Sequence, residues 1–148
     1  MADTAAASGV RIAVAESLTS GAISTALGSA PQASRWFVGG VVAYSEHVKF
    51  DVLGVEPGPV ITAACAEQMA EGVARLLDAE VVAAVTGAGG PGPEEGRPAG
   101  TVFLAHGRRG ALTVEHLRFV GEPAEVVQAT VEAAVRALHD DLAAGRPR

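Results

Sequence analysis

Between Glu80 and Thr86 the chain reads E-V-V-A-A-V-T, and no other stretch limits its possible folds so strongly. The run is made of small and β-branched apolar residues at strand length, with no polar residue on alternate positions. A strand of that kind offers no face to water and has to be covered on both sides. The flanking sequence supplies the cover. Residues 62 to 77, T-A-A-C-A-E-Q-M-A-E-G-V-A-R-L-L, place apolar side chains at helical spacing behind a Thr cap. About Pro123 to Ala143 reads as an amphipathic helix opened by proline, and Thr19 to about Leu27 as a shorter helix ended by Gly28.

Strands interleave with these helices. Residues 10 to 15 form a short apolar strand, and G-G-V-V-A-Y at 39 to 44 forms a second. Ser45 is placed to cap a short helix running to Leu53, stopped by Gly54 and Pro57. T-V-F-L-A follows a glycine-rich loop, and a hairpin turn from His106 to Gly110 leads into L-T-V-E-H-L-R-F, which alternates as a half-exposed strand does. The pattern predicts an α/β fold: a single three-layer α/β/α domain over 1–148 with a mixed central sheet, and with 1–9 and 144–148 as flexible ends.

Composition narrows the function. Apolar residues make up 49% of the 148, and charged residues 19%, as expected of a globule with a substantial core. No apolar run approaches the roughly 18 residues of a membrane span, so no membrane partner is expected. The opening M-A-D-T-A-A-A-S-G lacks a basic segment leading into an apolar one, so no secretion signal is expected. The single cysteine, Cys65, fits a reducing compartment, and a cytoplasmic location is the expectation. A net charge of −6 argues against nucleic acid as a partner. The basic pairs Arg108-Arg109 and Arg146-Pro-Arg148 read as a solvated turn and a chain end. His47, His106, His116 and His139 fall in different elements and none pairs with Cys65 at a ligand spacing, so no metal is expected.

Two features point to chemistry. The first is a composition: ten arginines stand against one lysine, Lys49. Arginine stays protonated, whereas lysine can be made neutral by burial, so Lys49 is the one amine able to act as a base. A lone surface lysine is the plainer alternative. The second is A-E-S-L-T-S-G at 15 to 21, where hydroxyls crowd a strand-to-helix turn. Ser17, Thr19 and Ser20 all qualify as helix caps. Ser17 also qualifies as a nucleophile, with Lys49 as its base in a Ser-Lys dyad.

The loop after residue 86 contains Gly87-x-Gly89-x-x-Gly92, a literal match to the dinucleotide fingerprint. Pro91, Pro93 and Pro98 and the strand that follows reject that reading, because the fingerprint requires a helix to open there. Backbone amides facing a phosphate or carboxylate, or a plain solvent loop, remain.

Four stretches taken together resemble a known family: A-E-S-L-T-S-G at 15 to 21, G-G-V-V-A-Y-S-E-H-V-K-F-D-V-L-G-V at 39 to 55, V-T-G-A-G-G-P at 85 to 91, and R-P-A-G-T-V-F at 97 to 103. They stand in the order of the C-terminal domain of the competence/damage-inducible protein CinA, also found alone as nicotinamide-nucleotide amidohydrolase. The resemblance covers roughly residues 10 to 143. It implies hydrolysis of the carboxamide of nicotinamide mononucleotide, giving nicotinic acid mononucleotide and ammonia in pyridine-nucleotide salvage. It places the nucleophile at Ser17 and the lysine at Lys49. It puts Glu16, Thr19, Tyr44, Glu46, Thr86, Gly87, Gly89, Gly90 and Arg97 near a small-molecule nucleotide substrate, with Arg97 at its nucleotide end. The amides opening the 19–27 helix, helped by Thr19, would hold the oxyanion. No cofactor is implied, and a homo-oligomer, dimer or higher, is expected.

Two positions depart from the family's pattern. Glu46 stands where asparagine is usual, and a carboxylate near Lys49 favours the charged amine. The segment usually written F-x-G-D-R reads F-V-G-E-P at Phe119 to Pro123, with Val127 where a further arginine is usual. These departures admit two alternatives: a catalytically inactive nucleotide-binding or partner-binding module of the same fold, or an amidase acting on another small amide.

Overall fold

In the computed structural model, which describes residues 1–145, the chain runs α1 (Ala2–Ser8), β1 (Ile12–Glu16), α2 (Ala22–Gly28), a single 3-10 turn (Ala33–Arg35) and β2 (Phe37–Val42). It continues through α3 (Glu46–Asp51), α4 (Ala63–Leu77), β3 (Val81–Gly87), β4 (Thr101–Arg108), β5 (Ala111–Arg118) and α5 (Pro123–Ala144). The sheet order is β2-β1-β3-β4-β5. β1 pairs in parallel with β2 and β3, while β4 and β5 are antiparallel to their neighbours, so the sheet is mixed as the sequence predicts.

β3 lies between β1 and β4, and its first six residues are all buried. Its period-two alternation divides the core in two. Val82 and Ala84 face α4, joined by Ala13 and Ala15 of β1 and by Ala66, Met69, Ala70 and Val73 of the helix. Val81, Ala83 and Val85 face the other way, onto Ile23 and Leu27 of α2 and Val126, Ala134, Leu138 and Leu142 of α5. Three layers result. Leu138 is fully buried there, and Leu138→Ala would cost roughly 2–5 kcal/mol. β5 is an edge strand with alternating exposure, matching its L-T-V-E-H-L-R-F pattern. Among the described residues no helix is long and apolar enough to cross a membrane.

Local signals hold at some places and fail at others. Thr62 caps α4, accepting from the Cys65 N–H at 3.0 Å. Ser45 occupies the N-cap position of α3, but its hydroxyl is 3.0 Å from His47 Nδ1 and meets no helix amide. Residues 1–9, expected as a flexible end, instead form α1, which buries Ala5 against α5 and closes on Gly9 in the left-handed region. Ala144 ends α5, and residues 146–148 of the expected flexible tail lie outside the described residues.

Candidate active site

The parallel strands β2, β1 and β3 all end on one edge of the sheet. The chain passes from β1 outward to β2 and then returns to β3 on the other side of β1. That reversal opens a crevice between β1 and β3 at their carboxyl ends, the place where open α/β sheets accept ligands. Ser17 follows β1 directly, and Gly87 ends β3. α3, which follows β2, brings Lys49 in from the side.

Burial of Lys49 depends on close packing beneath α3. A Cβ on Gly72 of α4 would collide with the Leu53 carbonyl oxygen, so only glycine lets the segment just after α3 settle on α4. Lys49 is left 2% exposed and Ser17 8%. Lys49 Nζ is 2.9 Å from Ser17 Oγ, 2.8 Å from the Ala43 carbonyl oxygen and 3.2 Å from that of Tyr44. A neutral amine has two N–H donors and one lone pair. With the amine protonated, Nζ donates to all three oxygens; with the amine neutral, the two carbonyls take the two donors and the lone pair accepts from the Ser17 hydroxyl.

Electrostatics agree with that arrangement. Burial lowers the Lys49 pKa from its ordinary value, and this outweighs the opposing influence of Cys65, Glu46, Glu95 and Glu94. Glu46 is exposed, so its carboxylate acts through solvent and moderates the fall without reversing it. The same buried environment pushes the Cys65 thiol up to about 11.

Above the pair lies a cleft of about 250 Å³. Ser17 and Leu18 form one wall, and Gly87, Gly89 and Gly90 form another. Tyr44, Glu94 and, from α5, Pro123 and Val127 complete it. Sequence reasoning missed Leu18 and Glu94. Glu94 carried one usable signal: it and Glu95 are the only acidic residues in an otherwise glycine- and proline-rich loop.

Other expected site residues are placed differently. Glu16 is fully buried and faces α2, not the cleft. Its carboxylate accepts from the Ile23 and Ser24 amides at 2.8 and 2.9 Å and from the Ser24 hydroxyl at 2.7 Å. Glu16 is therefore the cap of α2, a role expected of Thr19 or Ser20. The helix begins at Ala22, not Thr19, because Ser20 and Gly21 have positive φ. Two of its first amides are spent on Glu16 and cannot hold an oxyanion. The amides of Leu18 and Thr19, in the turn itself, meet no acceptor among the described residues. The Thr19 hydroxyl is buried beside them, likewise unpartnered among the described residues.

Thr86 is buried and donates to the Val60 carbonyl at 2.7 Å, bracing the 58–61 turn from behind the cleft. Glu95 grips the same turn through the Val60 and Ile61 amides. Arg97 does not line the cleft: its guanidinium lies 5.1 Å over the Phe103 ring. Among the described residues no group of three or more His, Cys, Asp and Glu is arranged to hold a metal ion.

The sequence model of the CinA C-terminal domain matches residues 1–142. A protein of Desulforamulus reducens named for competence-damage induction is 41% identical over 133 residues. That match takes in 86% of this chain and 32% of its relative, so the chain spans about a third of the length of the curated relatives it matches. Two solved structures from Klebsiella pneumoniae are similar throughout. The competence damage-inducible protein A of strain MGH 78578 has a TM-score of 0.93 and 34% identity, covering 98% of this chain and 94% of that one. The CinA superfamily protein of strain 700603 has a TM-score of 0.92 and 34% identity, covering 96% and 92%.

Proposed function

The chain belongs to the CinA C-terminal domain family, and from that premise we propose that it is an amidohydrolase that releases ammonia from the carboxamide of nicotinamide mononucleotide, with Ser17 as nucleophile and Lys49 as base. The observation that carries this reading is the buried 2.9 Å contact between Lys49 Nζ and Ser17 Oγ, with two carbonyls occupying the remaining donors of the amine.

The reaction is an acyl transfer. The Ser17 hydroxyl proton passes to Lys49 Nζ as Oγ bonds to the carboxamide carbon. The carbonyl π electrons move onto oxygen, and the free amides of Leu18 and Thr19 are the donors nearest in sequence to that oxyanion. Collapse of the tetrahedral intermediate breaks the C–N bond while the Lys49 ammonium returns its proton to the departing nitrogen, and ammonia leaves. Water then gives a proton to the again neutral Lys49 and attacks the ester. Collapse of this second intermediate frees the carboxylate product, and Ser17 Oγ recovers its proton from Lys49. Burial lets one amine serve alternately as base and acid.

The test is ammonia release from nicotinamide mononucleotide by the unaltered chain and by Ser17→Ala. The variant is expected to fall by at least about 10³-fold. Equal release by both would reject Ser17 as nucleophile. Binding of the mononucleotide without turnover by the unaltered chain would favour a nucleotide-binding module instead.

A further inference from the structure

Resting on the amidohydrolase reading, a finer inference concerns what the cleft admits beside the carboxamide. Among the described residues its lining holds one charged residue, Glu94, and no cation. The α5 side is apolar, formed by Pro123 and Val127. Two guanidinium groups on neighbouring segments are engaged elsewhere. Arg97 lies over Phe103, and Arg118 Nε donates to the Ala99 carbonyl at 3.1 Å. Lys49 is buried behind Ser17 and is needed neutral. Tyr44, in contrast, is 69% exposed and is one of the residues lining the cleft. At about 250 Å³ the space is smaller than the roughly 300 Å³ at which pockets for drug-sized ligands begin. A six-membered ring with its carboxamide is smaller than this space.

A phosphate dianion entering this cleft would meet an acidic residue and, among the described residues, no counter-charge. A planar cation would meet the carboxylate and the face of an aromatic ring, both of which attract it. A cation seated there also opposes protonation of Lys49, which favours the base form. We propose that the cleft selects primary carboxamides borne on a positively charged aromatic ring, through Glu94 and Tyr44, and gains nothing from a phosphate on the substrate. Glu94 and Tyr44 are thus specificity-determining residues for the cationic ring.

The experiment compares kcat/KM for ammonia release from nicotinamide mononucleotide, nicotinamide riboside and 1-methylnicotinamide, which are cations, and from neutral nicotinamide. The riboside is expected within about threefold of the mononucleotide, and nicotinamide at least about tenfold below both, the scale of one charge contact. In Glu94→Gln the ratio of cationic to neutral kcat/KM falls by about tenfold; taking the ratio cancels any change in Lys49. A mononucleotide preferred tenfold or more over the riboside would overturn the proposal, as would a ratio unchanged in Glu94→Gln. Calorimetric binding of the same compounds to Ser17→Ala reads selectivity without turnover. If no amide is hydrolysed by the unaltered chain, the amidohydrolase reading fails. The charge selectivity then stands if the riboside and mononucleotide bind alike and nicotinamide binds more weakly, and falls if the mononucleotide alone binds.

Discussion

Lys49 and His106 are both drawn off the surface, and they are held in opposite ways. The His106 side chain, 12% exposed, has a carboxylate at each ring nitrogen: Asp141 lies 2.8 Å from Nδ1 and Glu115 3.5 Å from Nε2. These contacts tie β4 to β5 and α5. Lys49, at 2% exposed, has among the described residues only a hydroxyl and two carbonyls within hydrogen-bond distance, and the carboxylates of Glu46, Glu95 and Glu94 act on it through space. A basic group met on both sides by carboxylates is a brace. One surrounded by neutral acceptors keeps a lone pair available for proton transfer.

The largest expected effect comes from removing that lone pair. Lys49→Arg keeps a cation but cannot deprotonate, so kcat/KM for ammonia release should fall by about 10³-fold or more with the circular dichroism spectrum unchanged. A variant within tenfold of wild type would erase the distinction between the two groups. Next, burial that favours the neutral amine should equally favour the neutral thiol beneath it. With its pKa pushed up to about 11 from 9.0, Cys65 holds roughly 100-fold less thiolate than a free thiol near pH 8. Alkylation by iodoacetamide should be at least that much slower in the folded chain than in urea.

The brace should behave differently from the base. His106→Ala is expected to lower unfolding free energy by about 1–2 kcal/mol in urea titration, through loss of its part-buried hydrogen bond, with kcat/KM within twofold of wild type. A large loss of activity without loss of stability would mean that the two clusters are coupled. The smallest effect concerns Glu46. Its carboxylate raises the Lys49 pKa, so Glu46→Gln should move the rising limb of the pH–rate profile toward acid. A shift toward alkali would contradict the assigned sign.

How far the sequence carried the account differs between its parts. The apolar run at 80–86 identified the central strand because burial on both faces leaves a compositional mark that survives any topology. Lys49 was visible through elimination, as the only amine in an arginine-rich chain. Glu16 was misjudged for a physical reason. The family resemblance implied a place near the substrate, but burial at the head of α2 makes its carboxylate the cap. Ser20 and Gly21 delay the helix by adopting positive φ, which glycine permits but serine does not declare in sequence. Arg97 left the expected nucleotide end because an aromatic face was available at Phe103, a cross-sheet contact without local signature. The alanines at 2–7 and Gly9 were themselves a helix signal that the reading of a flexible start passed over, and α1 packs against α5.

The central claim is that Lys49 acts as a neutral base on Ser17, and the pH dependence of kcat/KM for ammonia release tests it most directly. Measured from about pH 6 to about pH 10, the rate should rise with pH and level off below the ordinary lysine value of about 10.4, because burial lowers the Lys49 pKa. A rate that is flat across this range, or that falls as pH rises, would contradict the account.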